Sequence, residues 1–149
     1  MILTEKETML LKDIKTQEGL CVEKYAKYGD AASATQLKNL FQSLGKEEQE
    51  HLNTINQMLD GTVPPLPSYK PSEESAPSMK VDYNAEERQK DTFLCSDTLG
   101  TEKHVSSVYN TGIFEFKSAA ARDMLNHIQK EEQEHGKKIY DFMSQNGMY

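Results

Sequence analysis

The sequence predicts an all-α protein: a four-helix bundle made of two similar helix hairpins joined by one long crossover. The first observation is a hexapeptide, Lys-Glu-Glu-Gln-Glu-His, found at residues 46–51 and again at residues 130–135, 84 positions later. The second is that the same offset, without gaps, relates further residues of the two halves, for example Glu18 and Glu102. The third is that all five prolines fall within residues 61–82, between the halves.

The first helix is predicted to run from Thr4 to about Tyr28. Residues 4–7 have the Thr-x-x-Glu form of a capping box, and Gly29 is the predicted stop. Apolar residues recur every three or four positions along this segment, which is typical of a helix face packed on a core. One acid, Glu18, interrupts that face.

The second helix is predicted to start near Ser33, where a second capping pattern begins, and to end at about Leu59, before Gly61. Its core-facing positions are apolar on both sides of the hexapeptide, but Glu48 and His51 stand among them. Because these two residues are three positions apart, their side chains lie on one helix face, one turn from each other.

Residues 61–82 are predicted to form an extended, partly polyproline II crossover, because proline interrupts a helix. At about 3.1 Å per residue, this segment is long enough to run beside a 25-residue helix, whose length is roughly 37 Å. The length therefore predicts a connection between opposite ends of the bundle.

The second hairpin is predicted to repeat the first. Asn84 begins a capping pattern for a third helix that ends at about Asn110, and Ser118 caps a fourth helix that ends near Gly147. Three polar residues interrupt the core-facing positions of these helices: Glu102, Glu132 and His135. The chain is thus predicted to be one domain, residues 1–149, with helix pairs at 4–59 and 84–146 on either side of the crossover.

Six ionisable residues are therefore predicted to face the core together: Glu18, Glu48, His51, Glu102, Glu132 and His135. Burying four carboxylates without compensation would cost several kcal/mol each and would force some of them to protonate. Two divalent or trivalent cations would neutralise them. One Glu from each of two helices and a Glu-x-x-His from each of the other two is the ligand set of ferritin-like di-iron and di-manganese bundles.

The predicted cofactor is two iron or manganese ions per chain. Mixed oxygen and imidazole ligands suit these metals, and the absence of thiolate ligands argues against a structural zinc site. The remaining acids of the hexapeptides lie off the core-facing positions and are predicted to be solvated: Glu47, Glu50, Glu131 and Glu134.

Six further residues are predicted to lie either in the core or on the surface. Tyr25 and Tyr109 lie two turns from Glu18 and Glu102 and are predicted to be core residues rather than partners of the site. The two cysteines are predicted to be buried small apolar residues, and two histidines are predicted to lie on the surface: Cys21, Cys95, His104 and His127.

Composition excludes several classes of function. The net charge is −7 with dispersed Lys and Arg, so no nucleic-acid partner is expected. No run approaches the roughly 20 apolar residues that a membrane span requires, and the charged N-terminus lacks the pattern of a signal peptide. Two cysteines are too few for a disulfide scaffold. The sequence predicts a soluble protein made in a cytoplasm.

Residues 102–110, Glu-Lys-His-Val-Ser-Ser-Val-Tyr-Asn, and the Lys-Glu-Glu-Gln-Glu-His-Gly that ends at Gly136 carry a family resemblance. Over almost its whole length the chain resembles spore coat protein F-like (Coat F domain) proteins of endospore-forming bacteria, and its ligand pattern is similar to the ferritin and rubrerythrin superfamily. The resemblance implies synthesis in the mother-cell cytoplasm, then a place in the spore coat with other coat proteins as partners. It also carries the superfamily's metal ligands onto the six residues above.

Two departures from rubrerythrins stand out. Their four-cysteine iron domain has no counterpart here, and Val105 occupies a position where they commonly carry another acid. Two functions stay open. One is a rubrerythrin-like oxidoreductase, with peroxidase, oxidase or catalase chemistry on a small-molecule oxidant; the other is a structural coat component braced by its metals. The sequence does not identify a catalytic residue. It is compatible with a homo-oligomer.

Overall fold

A computed structural model describes residues 1–68 and 78–149. In these ranges the chain forms four helices and no strand: α1 (Glu5–Ala31), α2 (Thr35–Leu59), α3 (Ala85–Ile113) and α4 (Ala119–Gln145). α1 packs against α2, α3 against α4, α1 beside α3 and α2 beside α4. The predicted all-α four-helix bundle is confirmed. None of these helices combines the length and the apolar composition needed to cross a membrane.

Three of the four helices begin where the sequence predicts. Thr4 and Glu7 exchange side-chain hydrogen bonds with each other's backbone N–H groups, and Asn84 and Glu87 do the same at α3. Both are complete capping boxes, which satisfy N–H groups that have no partner inside the helix. Ser118 caps α4 as predicted.

The predicted junction between α1 and α2 is wrong in two details. α1 continues through Gly29 to Ala31, so Gly29 does not end the helix. A Cβ at this position would lie 3.6 Å from Gln42 Cγ and 3.8 Å from Phe41 Cβ on α2, which is ordinary van der Waals contact, so the packing there does not require glycine. Ser33 does not cap α2 either: the N-cap is Ala34, which makes no side-chain hydrogen bond.

α3 also runs three residues beyond its predicted end, to Ile113.

Asp91 of α3 supplies the missing cap. Its carboxylate, fully buried, accepts hydrogen bonds from the backbone N–H groups of Ser33 (2.7 Å) and Ala34 (2.9 Å) and from the hydroxyl of Tyr83 (2.7 Å). An acid from the second hairpin therefore satisfies the start of a helix in the first.

The internal repeat places Glu7 of α1 at the position equivalent to Asp91, and it makes the reciprocal contact. Glu7 Oε1 accepts a hydrogen bond from the backbone N–H of Lys117 (3.0 Å), just ahead of α4. This bond and the one from Thr4 hold the pKa of Glu7 below its usual range. The two contacts show that α1 is antiparallel to α3.

The crossover consequently joins opposite ends of the bundle, a distance that a segment of its length can span. The described parts of the predicted extended segment, residues 61–68 and 78–82, contain no helix. The rest of that prediction, for residues 69–77, lies outside the described residues.

Replacing Asp91 with alanine is expected to lower the free energy of unfolding by about 3 kcal/mol. One buried and two partly buried donors lose their acceptor. Each unsatisfied buried group costs roughly 1–3 kcal/mol, and water partly compensates the other two donors. Urea denaturation measures the loss, and Asp13→Ala, at an exposed position of α1, is the matched control. Equal stabilities of the two variants would show that the contact between hairpins contributes nothing.

The six predicted ligands lie between two apolar clusters. One cluster includes Leu11 and Leu125, and the other includes Phe41 and Phe142. The ionisable residues therefore form a polar layer across the middle of the bundle, closed above and below by tightly packed apolar side chains.

Candidate metal centre

All six residues converge in this layer, contributed by all four helices, and each is no more than 4 % exposed. They are Glu18 on α1, Glu48 and His51 on α2, Glu102 on α3, and Glu132 and His135 on α4. Helical periodicity accounts for their meeting, because each stands where an apolar residue would otherwise face the core.

The six residues form two overlapping groups of four. In each group, one ligand atom per residue lies within 4.8 Å of all the others. Glu48 and Glu132 belong to both groups. The unshared Glu and His of each group come from a single hairpin: Glu18 and His51 from the first, Glu102 and His135 from the second. The arrangement thus has the approximate twofold symmetry of the internal repeat.

The inner nitrogens of both histidines face the carboxylates. His51 Nδ1 lies 3.1 Å from Glu132 Oε1 and 3.3 Å from Glu48 Oε2. His135 Nδ1 lies 2.8 Å from Glu48 Oε1 and 3.4 Å from Glu102 Oε1. The two rings are stacked, with their centroids 5.6 Å apart. Each ring therefore turns its Nδ1 to the layer and its Nε2 away from it.

The outer nitrogens face two acids that were predicted to be solvated. Glu47 is hydrogen-bonded to His135 Nε2, and Glu131 Oε1 lies 3.7 Å from His51 Nε2. Their side chains are 34 % and 32 % exposed. The prediction for these two is wrong, because the neighbouring helix partly covers a helix face that periodicity alone assigns to solvent. Of the other two acids of the hexapeptides, Glu50 is exposed as predicted and Glu134 is half-buried.

The tyrosines are buried core residues, as predicted, but they are also partners of the site. The Tyr25 hydroxyl donates to Glu102 Oε1, and the Tyr109 hydroxyl donates to Glu18 Oε1. Each tyrosine lies on the helix that faces the glutamate it contacts. Side chains of a helix lean toward its N-terminus, so each ring reaches back to the polar layer. Tyr25 and Tyr109 are 84 positions apart, the same offset that relates Glu18 to Glu102. This shared offset could have identified the two tyrosines as partners of the site.

Without a metal, protons occupy part of the layer. Burial, and then the hydrogen bond with Glu48, raise the pKa of Glu18 well above its usual range. Burial and contact with Glu102 likewise raise the pKa of Glu132. Burial also opposes ionisation of Glu48, but its hydrogen bonds with Glu18 and His135 outweigh burial and hold its pKa below the usual range.

The imidazoles are charged in this state. Burial alone would lower the pKa of His51, but the surrounding carboxylates, first Glu131 and Glu48, outweigh it and raise that pKa to about 10. Burial is outweighed at His135 as well, where Glu102 and Glu47 raise the pKa. The layer is therefore built to bind positive charge.

Within residues 1–68 and 78–149, three buried carboxylate oxygens make no hydrogen bond: Glu18 Oε2, Glu102 Oε2 and Glu132 Oε2. Unpaired buried acceptors are costly and rare in folded proteins. Each of the three belongs to one or both of the four-residue groups, so the residues present fit a pair of cations that would coordinate these oxygens.

The cysteines do not contribute thiolates. Both are buried, as predicted. Burial, and then the charge of Glu48, raise the pKa of Cys21, and burial raises that of Cys95 to about 12. Both thiols stay protonated at neutral pH, so oxygen and imidazole remain the available ligands.

The two other histidines differ from each other. His104 is exposed, as predicted. The surface prediction for His127 is wrong: its side chain is only 22 % exposed, and its Nε2 lies 2.5 Å from Glu131 Oε1. The two residues are four positions apart on α4, where side chains of a helix are neighbours.

Comparison with known proteins finds the Coat F domain at residues 90–149. The matched part holds most of α3 and all of α4, with Glu102, Glu132 and His135. The resemblance noted for almost the whole chain is thus supported for its second hairpin. No curated protein and no solved structure matches the chain. The chain is therefore similar to the Coat F domain over residues 90–149, which is less than half of its length.

Proposed function

We propose that the chain is a ferritin-like protein of the spore coat that holds two iron or manganese ions and acts as an oxidoreductase on dioxygen or peroxide. The observation that carries the proposal is the pair of four-residue groups sharing Glu48 and Glu132. Glu48 and Glu132 would each bind both cations, and the positive charge of the two ions would offset the negative charge of the layer. Glu18 and His51 would complete the ligands of one ion, and Glu102 and His135 those of the other.

The way in which the carboxylates bind would decide between chemistry and a purely structural role. A group that gives one atom from each residue would supply four ligand atoms, which leaves two positions of an octahedral ion, the geometry that suits manganese, for a small oxidant. Carboxylates that each bind through both oxygens would instead fill those positions. When bound, the two ions would supply the electrons that reduce dioxygen or peroxide.

The chain's own residues orient the ligands and keep bulk water out. Tyr25 and Tyr109 donate hydrogen bonds to Glu102 and Glu18, which restrains the two unshared carboxylates. The apolar clusters above and below the layer limit access of water.

A structural brace is the second candidate, and the burial of all six residues favours it. A sealed, fully coordinated pair of ions would stabilise the bundle without reacting. Against this, a bundle that needs only stability could carry apolar residues at all six positions, often at no cost. In either case we place the chain in the mother-cell cytoplasm when it is made and in the spore coat afterwards, with other coat proteins as partners.

Reaction with oxidants separates the two candidates. Protein loaded with iron or manganese is mixed with hydrogen peroxide and, separately, with dioxygen, and its rate of oxidant consumption is compared with that of the same concentration of free metal. Faster consumption by the loaded protein is expected for at least one oxidant. Rates no higher than those of free metal, with both oxidants, would establish the structural role instead.

A further inference from the structure

The two outer glutamates are equivalent by the internal repeat, but their surroundings differ. One oxygen of Glu47 is hydrogen-bonded to His135 Nε2, and the other lies 3.9 Å from Lys138 Nζ. The residue equivalent to Lys138 in the first half is Thr54, which carries no charge. Glu47 is therefore engaged by an imidazole on one side and by a cation on the other.

Glu131 instead lies between two imidazoles. Its Oε1 is 2.5 Å from His127 Nε2 and 3.7 Å from His51 Nε2. Both nitrogens are buried, and neither has the geometry of a hydrogen bond to any residue that the structure describes, despite these short distances. The residue equivalent to His127 in the first half is Ser43. The cluster of His127, Glu131 and the outer face of His51 thus exists on one side of the molecule only.

This cluster has the chemistry of a transition-metal site. An imidazole nitrogen and a carboxylate oxygen on neighbouring turns of one helix suit first-row divalent cations. His51 is 4 % exposed and turns its unpartnered Nε2 to the same carboxylate oxygen. Because the Glu131 side chain is 32 % exposed, the cluster extends from solvent to a residue of the inner layer.

We propose that His127 and Glu131 form an outer site that captures a divalent transition-metal cation at the α2–α4 surface and passes it inward beside His51. The cation binds the neutral imidazole and the carboxylate, and then exchanges these ligands for those of the inner layer. Uptake is one-sided, because Lys138 places a positive charge next to the equivalent Glu47. The inference rests on the proposed dinuclear centre, whose ions it supplies.

Stopped-flow loading with Co²⁺, followed by its visible absorption, tests this route. His127→Ser introduces the residue type found at the equivalent position of the first half, and Glu131→Gln removes the charge while keeping the shape. Glu131→Gln is expected to slow loading about tenfold, the low end of the effect of local charge on association rates. His127→Ser should slow loading as well, because it removes the imidazole ligand, and both variants should still reach two ions. The matched controls, at exposed positions, are His104→Ser and Glu50→Gln, and both should load at the rate of the unmodified chain.

A second measurement follows the outer site independently of the inner one. Substoichiometric Zn²⁺ should shift the imidazole NMR resonances of His127. If they do not move, the outer site is refuted whatever the inner centre binds. If they move but both variants load Co²⁺ at the normal rate, the cluster is an adventitious surface site and the route is wrong. A chain that shows the His127 shift yet retains no Co²⁺ would refute the proposed dinuclear centre instead.

Discussion

Removing the metals is expected to lower the melting temperature by about 10 °C. A ligand that binds only the folded state, present at a thousand times its Kd, stabilises that state by about 4 kcal/mol. In a chain of this size each kcal/mol shifts the melting temperature by roughly 2–4 °C. The buried carboxylates also lose their compensating charge when the ions leave. Calorimetry of loaded and chelator-stripped protein, each dialysed free of chelator, measures the shift.

Two further results complete this test. Adding iron or manganese back to the stripped protein should restore the original melting temperature, which excludes damage by the chelator. A melting temperature that is the same with and without metal would show that the buried acidic layer does not bind these ions in the folded chain.

The stabilisation by metal should shrink as the pH falls. In the metal-free chain the surrounding carboxylates overcome burial and raise the pKa of His51 to about 10. A raised folded-state pKa means that bound protons already stabilise the metal-free fold at low pH, and that this contribution is lost as the pH rises toward 10. Metals compete with these protons, so their affinity rises with pH and their binding releases protons. The difference between loaded and stripped melting temperatures should therefore be larger at pH 8 than at pH 5.5.

Replacing a shared carboxylate should affect both ions, whereas replacing an unshared one should affect a single ion. Glu48 lies in both four-residue groups, and Glu18 lies in one. We expect Glu48→Gln to lower the metal affinity of both sites by at least about 100-fold, which is the upper end of the loss caused by changes outside the ligands themselves. The variant should also lose most of the metal-dependent consumption of peroxide or dioxygen. Glu18→Gln should leave one ion bound. Metal content after gel filtration distinguishes the two variants.

The fold of the variants must be checked alongside. Glutamine keeps the shape of the side chain, so circular dichroism should show an unchanged helix content. Glu50→Gln, at an exposed position of the same hexapeptide, should retain both ions. If Glu48→Gln and Glu18→Gln lost equal amounts of metal, the shared position of Glu48 would be wrong.

The parts of the fold that depend on local contacts were predictable from the sequence. The capping boxes at Thr4 and Asn84 involve residues three positions apart, and the convergence of the six ionisable residues follows from helical period and repeat. The cap of α2 was not predictable in this way. Asp91 reaches Ser33 from a helix 58 positions away in sequence, and neither residue carries a local pattern that links it to the other.

The surroundings of the candidate site were less predictable for a related reason. Periodicity tells which face of a helix a residue occupies, but not how closely the next helix approaches that face. Glu47 and Glu131 stand off the core-facing positions, yet a neighbouring helix brings a histidine to each. The contact of Tyr25 with Glu102 similarly depends on how closely α1 and α3 approach each other, which the period of a single helix does not give.

The most direct test of the central claim is elemental analysis of the native protein, expressed with added iron and manganese and freed of loosely bound metal by gel filtration. Two four-residue groups that share two carboxylates predict two transition-metal ions per chain, iron or manganese. A content of two would agree with a dinuclear centre in the middle of the bundle. A chain that retains no tightly bound metal, or only one ion, would contradict it.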